Sequence, residues 1–110
     1  MYFVRLFKPK PDVQELRRNG DVQGLIRALR YRRDADVRLA AAKALGRIGG
    51  AMATEPLVQA LGDKFVRWEA AAALERIGEP ARDSLIQALN HRDMYVRKAA
   101  KKALEIINPY

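Results

Sequence analysis

The chain has one histidine, His91, and no cysteine. No Ser-His-Asp or Cys-His arrangement forms around that pair of facts, and neither a thiolate metal site nor a disulfide framework can be built. No two carboxylates stand out as an acid–base pair, and Asp36 reads as an ordinary loop acid. A phosphate-cradling glycine loop is also missing, because Gly46, Gly49, Gly50, Gly62 and Gly78 fall in helices or linkers. The expectation is therefore no catalytic residue, no cofactor and no metal. The side chains with chemistry to offer are those suited to binding.

Two sets qualify. Trp68 is the sole tryptophan, and tryptophan and arginine are favoured interface anchors. The second set is Arg27, Arg30, Tyr31, Arg32 and Arg33 with Arg17 and Arg18. Cations around an aromatic can hold phosphates and stack on bases. The plainer reading of that cluster is arginine complementing a helix end and its loop, and no nucleic-acid motif accompanies it. The net charge is +8, and residues 1–50 hold 12 Lys/Arg against 5 Asp/Glu while residues 51–110 hold 9 against 8. Such asymmetry can point to an anionic partner, or to a solvated surface that keeps the chain in solution.

What positions these residues is a repeat. The stretch Val37-Arg38-Leu39-Ala40-Ala41-Ala42-Lys43-Ala44-Leu45-Gly46-Arg47-Ile48-Gly49 returns from Val66 to Gly78, and more weakly from Val96 to Asn108. The copies begin 29 and then 30 residues apart. A fixed period in this range means stacked supersecondary units rather than one globular core. Each copy predicts a helix, here termed B. Its apolar stripe is Val37, Ala41, Ala44, Leu45 and Ile48, then Val66, Ala70, Ala73, Leu74 and Ile77, then Val96, Ala100, Ala103, Leu104 and Ile107. Alanine on a contact face lets helices come close. Ala42 and Ala71 widen the stripe, whereas the third copy has Lys101, and Lys101 with Lys102 reads as a polar cap on the last unit.

Between the B segments lie shorter helices, termed A. Val22, Leu25, Ile26 and Leu29 recur at helical spacing, and the same face returns as Ala53, Leu57, Val58 and Leu61, then Ala81, Leu85, Ile86 and Leu89. Pro56 and Pro80 suit first turns. Asp21 suits an N-cap, and Asp34, Asp63 and Asp93 stand three residues before each B-helix valine, where an acceptor satisfies orphan amides. Gly49 and Gly78 fit left-handed helix stops. Ahead of the repeats, Asp12 and Glu15 at capping-box spacing predict a short helix from about Val13 to Arg18, ended by Asn19-Gly20. The aromatic arm of residues 1–10, with Tyr2, Phe3, Val4, Leu6 and Phe7, reads as a cover for the open side of the first unit, or else as a dimerisation strip.

Once the stripe is removed, an outward row is left on the B helices. It runs Leu39, Ala40, Lys43, Arg47; then Trp68, Glu69, Ala72, Arg76; then Lys98, Ala99, Lys102, Ile106. These positions vary between otherwise similar copies. Trp68 stands where the pattern leaves it uncovered, either as a partner anchor or laid flat on a neighbouring helix.

The string Ile48-Gly49-Gly50-Ala51-Met52-Ala53-Thr54-Glu55-Pro56-Leu57-Val58-Gln59-Ala60-Leu61, followed by Asp63 and Val66-Arg67, resembles the HEAT-like repeat of the phycobilisome-lyase type. Resemblance covers about residues 21–107. The third copy departs, with Lys101 and Lys102 in the alanine run, Glu105 and Asn108 in place of glycines, and Asp83-Ser84 in place of Glu-Pro. The resemblance implies helix pairs stacked into a right-handed superhelix, with B helices on a concave side that binds partners. It also implies a structural ladder of Asp34, Arg38, Asp63, Arg67, Asp93 and Arg97, arginines linking to aspartates of adjacent repeats. The iron-binding His-Glu pairs of some HEAT-like enzymes are not matched, since Arg92 follows His91, which reads as a solvated loop residue.

The expected fold is an all-α solenoid of three helical hairpins in one domain: arm and cap helix at 1–20, then repeats at 21–50, 51–79 and 80–110. The expected function is a non-enzymatic protein-interaction module that takes a peptide, a helix or a protein patch on Leu39, Lys43, Arg47, Trp68, Glu69, Arg76, Lys98, Lys102 and Ile106. The alternative is nucleic-acid or other polyanion binding through the arginine cluster. Ranked last is an accessory subunit of a lyase-type or chromophore-attachment complex. No apolar run approaches the roughly 18 residues of a membrane span, and residues 1–7 lack the form of a signal peptide, so a cytoplasmic chain with no membrane partner is expected. The oligomeric state stays open in the sequence, between a monomer and a weak dimer.

Overall fold

Short polar side chains start the first helices. In the computed structural model, which describes residues 9–48 and 50–107, Asp12 leads into α1 (Val13–Arg18) and accepts the Glu15 amide at 3.1 Å. Asn19 caps the far end, and Gly20 supplies the positive φ (63°) that turns the chain. Asp21 then starts α2 (Val22–Leu29), accepting the Gly24 amide at 2.8 Å. The other helices are α3 (Ala35–Ile48), α4 (Thr54–Ala60), α5 (Arg67–Ile77), α6 (Arg82–Ala88) and α7 (Met94–Ile107). No strand occurs among the described residues. Neither α4 nor α6 has a side-chain cap; each is entered through a 3-10 turn, Gly50–Ala53 and Glu79–Ala81. Pro56 falls in the first turn of α4, but Pro80 belongs to the 3-10 turn ahead of α6 rather than to the helix. Gly78 ends α5 at a φ of 75°.

The helices pair as α2 with α3, α4 with α5 and α6 with α7, and the pairs stack along a body of 58 × 28 × 18 Å. The B helices α3, α5 and α7 form one layer and meet extensively, whereas the A helices α2, α4 and α6 meet sparsely. The alanine stripe explains the difference, since Ala41, Ala44, Ala70, Ala73, Ala100 and Ala103 are all buried and keep the B axes close. At Gly46 the approach is closest: a Cβ there would lie 2.8 Å from the Ala73 Cα and Cβ. Leu25, Leu45, Leu57, Leu61, Leu74 and Leu85, with Val66 and Val96, fill the space between layers and are fully buried. Each such side chain contributes on the order of 1.5–3 kcal/mol.

The ends differ from the middle. Helix α1 packs on α2 and α3, with Val13 buried and Leu16 against the core, so the first unit is covered by α1. The aromatic arm through Phe7, Gly49 as a helix stop, and Asn108 onward lie outside the described residues. At the other end the apolar face of α6 is not closed. Ile86 is 41% and Leu89 37% exposed, while at the matching places of α4 Val58 is half-buried and Leu61 fully buried. Among the described residues no further A helix packs against that face of α6. Lys101 is exposed on the same end of the B layer. Ile48, expected in the stripe, is also exposed, because it sits at the last turn of α3.

Candidate partner-binding faces

The arginines of the expected ladder are held first by backbone carbonyls. Arg38 is buried; it donates to the Tyr31 carbonyl at 2.9 Å and the Arg32 carbonyl at 3.2 Å, and its Nε reaches Asp63 of the next hairpin at 2.7 Å. Burial pushes the Asp63 carboxyl up, but the Arg38 hydrogen bond, the Phe65 amide and the charges of Arg38 and Arg32 outweigh it and hold the group below the usual carboxylate value. The rung is not repeated between the second and third hairpins. Arg67 donates to the Leu61 carbonyl at 2.7 Å, and its guanidinium lies 4.8 Å from the Tyr95 ring centroid instead of meeting Asp93. Arg97 donates to the carbonyls of His91 and Arg92. Asp34 is matched by Lys10 at 2.8 Å, an exposed pair in which the shared hydrogen bond lowers the carboxyl and raises the amine. Asp34, Asp63 and Asp93 also accept the amides of Asp36, Phe65 and Tyr95, which makes each a cap of its A–B turn. His91 is exposed and accepts the Asp93 amide through Nδ1.

On the B layer the outward row divides. Lys43, Arg47, Arg76, Lys98, Lys102 and Ile106 are exposed, and Leu39, Ala40, Glu69 and Ala72 are half-buried. Ala99, read from the spacing as outward, is fully buried and belongs to the core. Trp68 is 54% exposed and its ring is approached by Lys102 of the next hairpin, Nζ 5.7 Å from the centroid. That is within the range of a cation–π contact, which holds the indole without covering it. Beside α3, Val13, Gln14 and Arg17 of α1 face Ala40, Lys43 and Arg47 across a cavity of about 220 Å³.

The arginine cluster converges only in part: Arg30 and Arg32 line one hollow of about 380 Å³ with Gln59 and Asp63, and Arg17 and Arg27 lie elsewhere. Arg17 turns to the cavity with Lys43 and Arg47 and is held by Gln14. Arg27 lies in a hollow between α1 and α2 with Asp12, Glu15 and Asp21. Arg30 reaches Gln59 of α4 and Arg32 reaches Asp63, both at 3.3 Å. Arg18 and Arg33 are exposed, and Tyr31 is half-buried. Apart from the Arg30 and Arg32 hollow, the cluster is spread over two helix ends and a loop.

Sequence reasoning missed one feature. Phe65 and Tyr95 are 60% and 50% exposed and line a groove of about 610 Å³ at the edge of the A–B turns. Both occupy the place just before the B-helix valine, in Asp63-Lys64-Phe65-Val66-Arg67 and Asp93-Met94-Tyr95-Val96-Arg97. An aromatic recurring beside a strict stripe was the available signal.

Among the described residues no group of three or more His, Cys, Asp or Glu could hold a metal ion, and no helix is long and apolar enough to cross a membrane. Three stacked helical hairpins with a close-packed B-helix layer define an α-solenoid of helical repeats. Residues 22–105 match the family model for HEAT repeats, and the chain belongs to that family. Its members are commonly scaffolds for protein interaction and are generally not enzymes. No curated protein matches the chain.

Proposed function

We propose that this chain is a protein-interaction module whose B-helix wall takes a peptide, a helix or a patch of a larger protein. The observation that carries the reading is Trp68, a half-exposed indole in the middle hairpin held by Lys102, on a B-helix layer that also carries the exposed Arg47, Arg76 and Lys98. An exposed aromatic anchor with arginines beside it is the usual make-up of an interface centre. Leu39 and Ile106 give apolar contact at either end of the wall. Arg17, Lys43 and Lys102 add positive charge, with Glu69 as the acid of the set, which favours a partner of negative surface. The dense contact among B helices supports curvature toward that side. The motif resemblance supports the phycobilisome-lyase subtype; an accessory place in a lyase-type complex ranks last among the readings. A cytoplasmic setting goes with the interaction-module reading.

The test is affinity capture with wild type, Trp68→Ala and Arg92→Ala, the last an exposed loop change off the wall. The expected result is one set of proteins retained by wild type and Arg92→Ala and lost with Trp68→Ala. Equal retention by all three overturns the reading.

A further inference from the structure

We propose a second binding site, separate from the B-helix wall, in the groove edged by Phe65 and Tyr95: a site for a short acidic peptide segment that carries aromatic or large apolar side chains. Two large rings standing half or more in water on neighbouring hairpins are not random surface residues. They hold the same register position, so the repeat sets them along one edge. Lys64 Nζ lies 5.1 Å from the Phe65 centroid and the Arg67 guanidinium 4.8 Å from that of Tyr95. These contacts pin the rings and leave the rest of their surface to solvent.

The charges in the groove are biased to receive carboxylates. Asp63 is its acid, but its side chain is 11% exposed and already engaged by Arg38 and Arg32. Arg32 commits one hydrogen bond to it and keeps 72% of its side chain exposed, so most of its five donors stay open. Lys64 has no acid partner among the described residues. Two cations with donors still open, beside two apolar faces, match carboxylates alternating with apolar side chains, the first held by Arg32 and Lys64 and the second by the rings.

A nucleic-acid strand fits less well. Stacked single strands need a line of cations that tracks the phosphates. Along this edge the first hairpin places Asp36 where the others carry the rings, and the third turn places Asp93 where no cation pairs with it. The groove of about 610 Å³ has room for a few side chains, and Trp68 does not line it.

The probes are a fluorescein-labelled peptide repeating Glu-Phe-Glu, its Gln-Phe-Gln counterpart and labelled oligothymidylate, followed by anisotropy at low salt on the full chain. The Glu peptide is expected to bind at least about tenfold more tightly than the Gln peptide. Phe65→Ala and Lys64→Glu are each expected to weaken it roughly tenfold, while Trp68→Ala leaves it unchanged. Both groove variants alter exposed side chains, and circular dichroism confirms their fold; Tyr95→Phe, which keeps the ring, should bind as wild type. Equal binding of the two peptides overturns the proposal, as does indifference to both groove variants. Loss of the Glu peptide with Trp68→Ala alone moves it to the B-helix wall. Tighter oligothymidylate binding that falls with Phe65→Ala makes nucleic acid the occupant instead.

Discussion

Arg38 keeps a charge inside the protein because three acceptors surround it: two carbonyls of its own A–B turn and the Asp63 carboxylate of the next hairpin. It therefore closes one repeat and ties it to another. Arg38→Met leaves all three acceptors short of a donor and is expected to cost about 3 kcal/mol in urea unfolding. A change under half that size would mean water takes over the contacts. Asp63 carries a pH signature as well. Its folded pKa lies below the unfolded value of about 3.9. Its contribution is thus fully present above that value and is lost as pH falls through the lower folded one. Asp63→Asn is expected to flatten the fall in stability between neutral and acid pH; an unchanged slope contradicts the assignment. At this scale the sequence was legible in part. The resemblance implied arginines linked to aspartates of adjacent repeats, but the sequence carried no sign that the Tyr95 ring would take Arg67 from Asp93. Competition between partners depends on distances that spacing does not fix.

The helices themselves were legible, because alanine and leucine at helical spacing leave few other folds for the segments. Their errors share one cause. Periodicity shows which face is apolar and not where the neighbouring helix stops, so Ile48, Ile86 and Leu89 were read as covered and Ala99 as open. The stripe makes two predictions. Leu45→Ala removes a fully buried side chain between layers and is expected to cost about 2–5 kcal/mol; a negligible loss would deny the packing. Gly46→Ala improves helix propensity by about 1 kcal/mol, yet its Cβ would sit 2.8 Å from the Ala73 Cα and Cβ. Overpacking is expected to prevail, giving a net loss of about 1–2 kcal/mol. Ala73→Gly should rescue it only partly, since the Ala73 Cα remains in the way. Full rescue, or a gain in thermal midpoint, would show that the α3–α5 contact is looser than described.

Across the whole molecule, a stack buries what its units share and exposes what they do not. Val66, Leu74 and Ala70 repeat the core of the first hairpin, whereas Trp68 has lysine and leucine in its place on the neighbours. This is why the solenoid could be read from one chain and its partner could not: the fold is written in repeated residues, and recognition in single ones. The B-helix row was read from the positions left outside the stripe, with Ala99 wrongly among them, while the Phe65 and Tyr95 groove was passed over because turns carry no helical period. The central claim, that the wall is a recognition surface anchored by Trp68, has a built-in reporter, since the chain holds no other tryptophan. Titration of the captured partner into the protein, followed by intrinsic emission with a tryptophan-free fragment of that partner, is expected to give a saturable blue shift as the indole leaves water. Saturable binding by an independent readout, with the emission maximum unmoved, would contradict it.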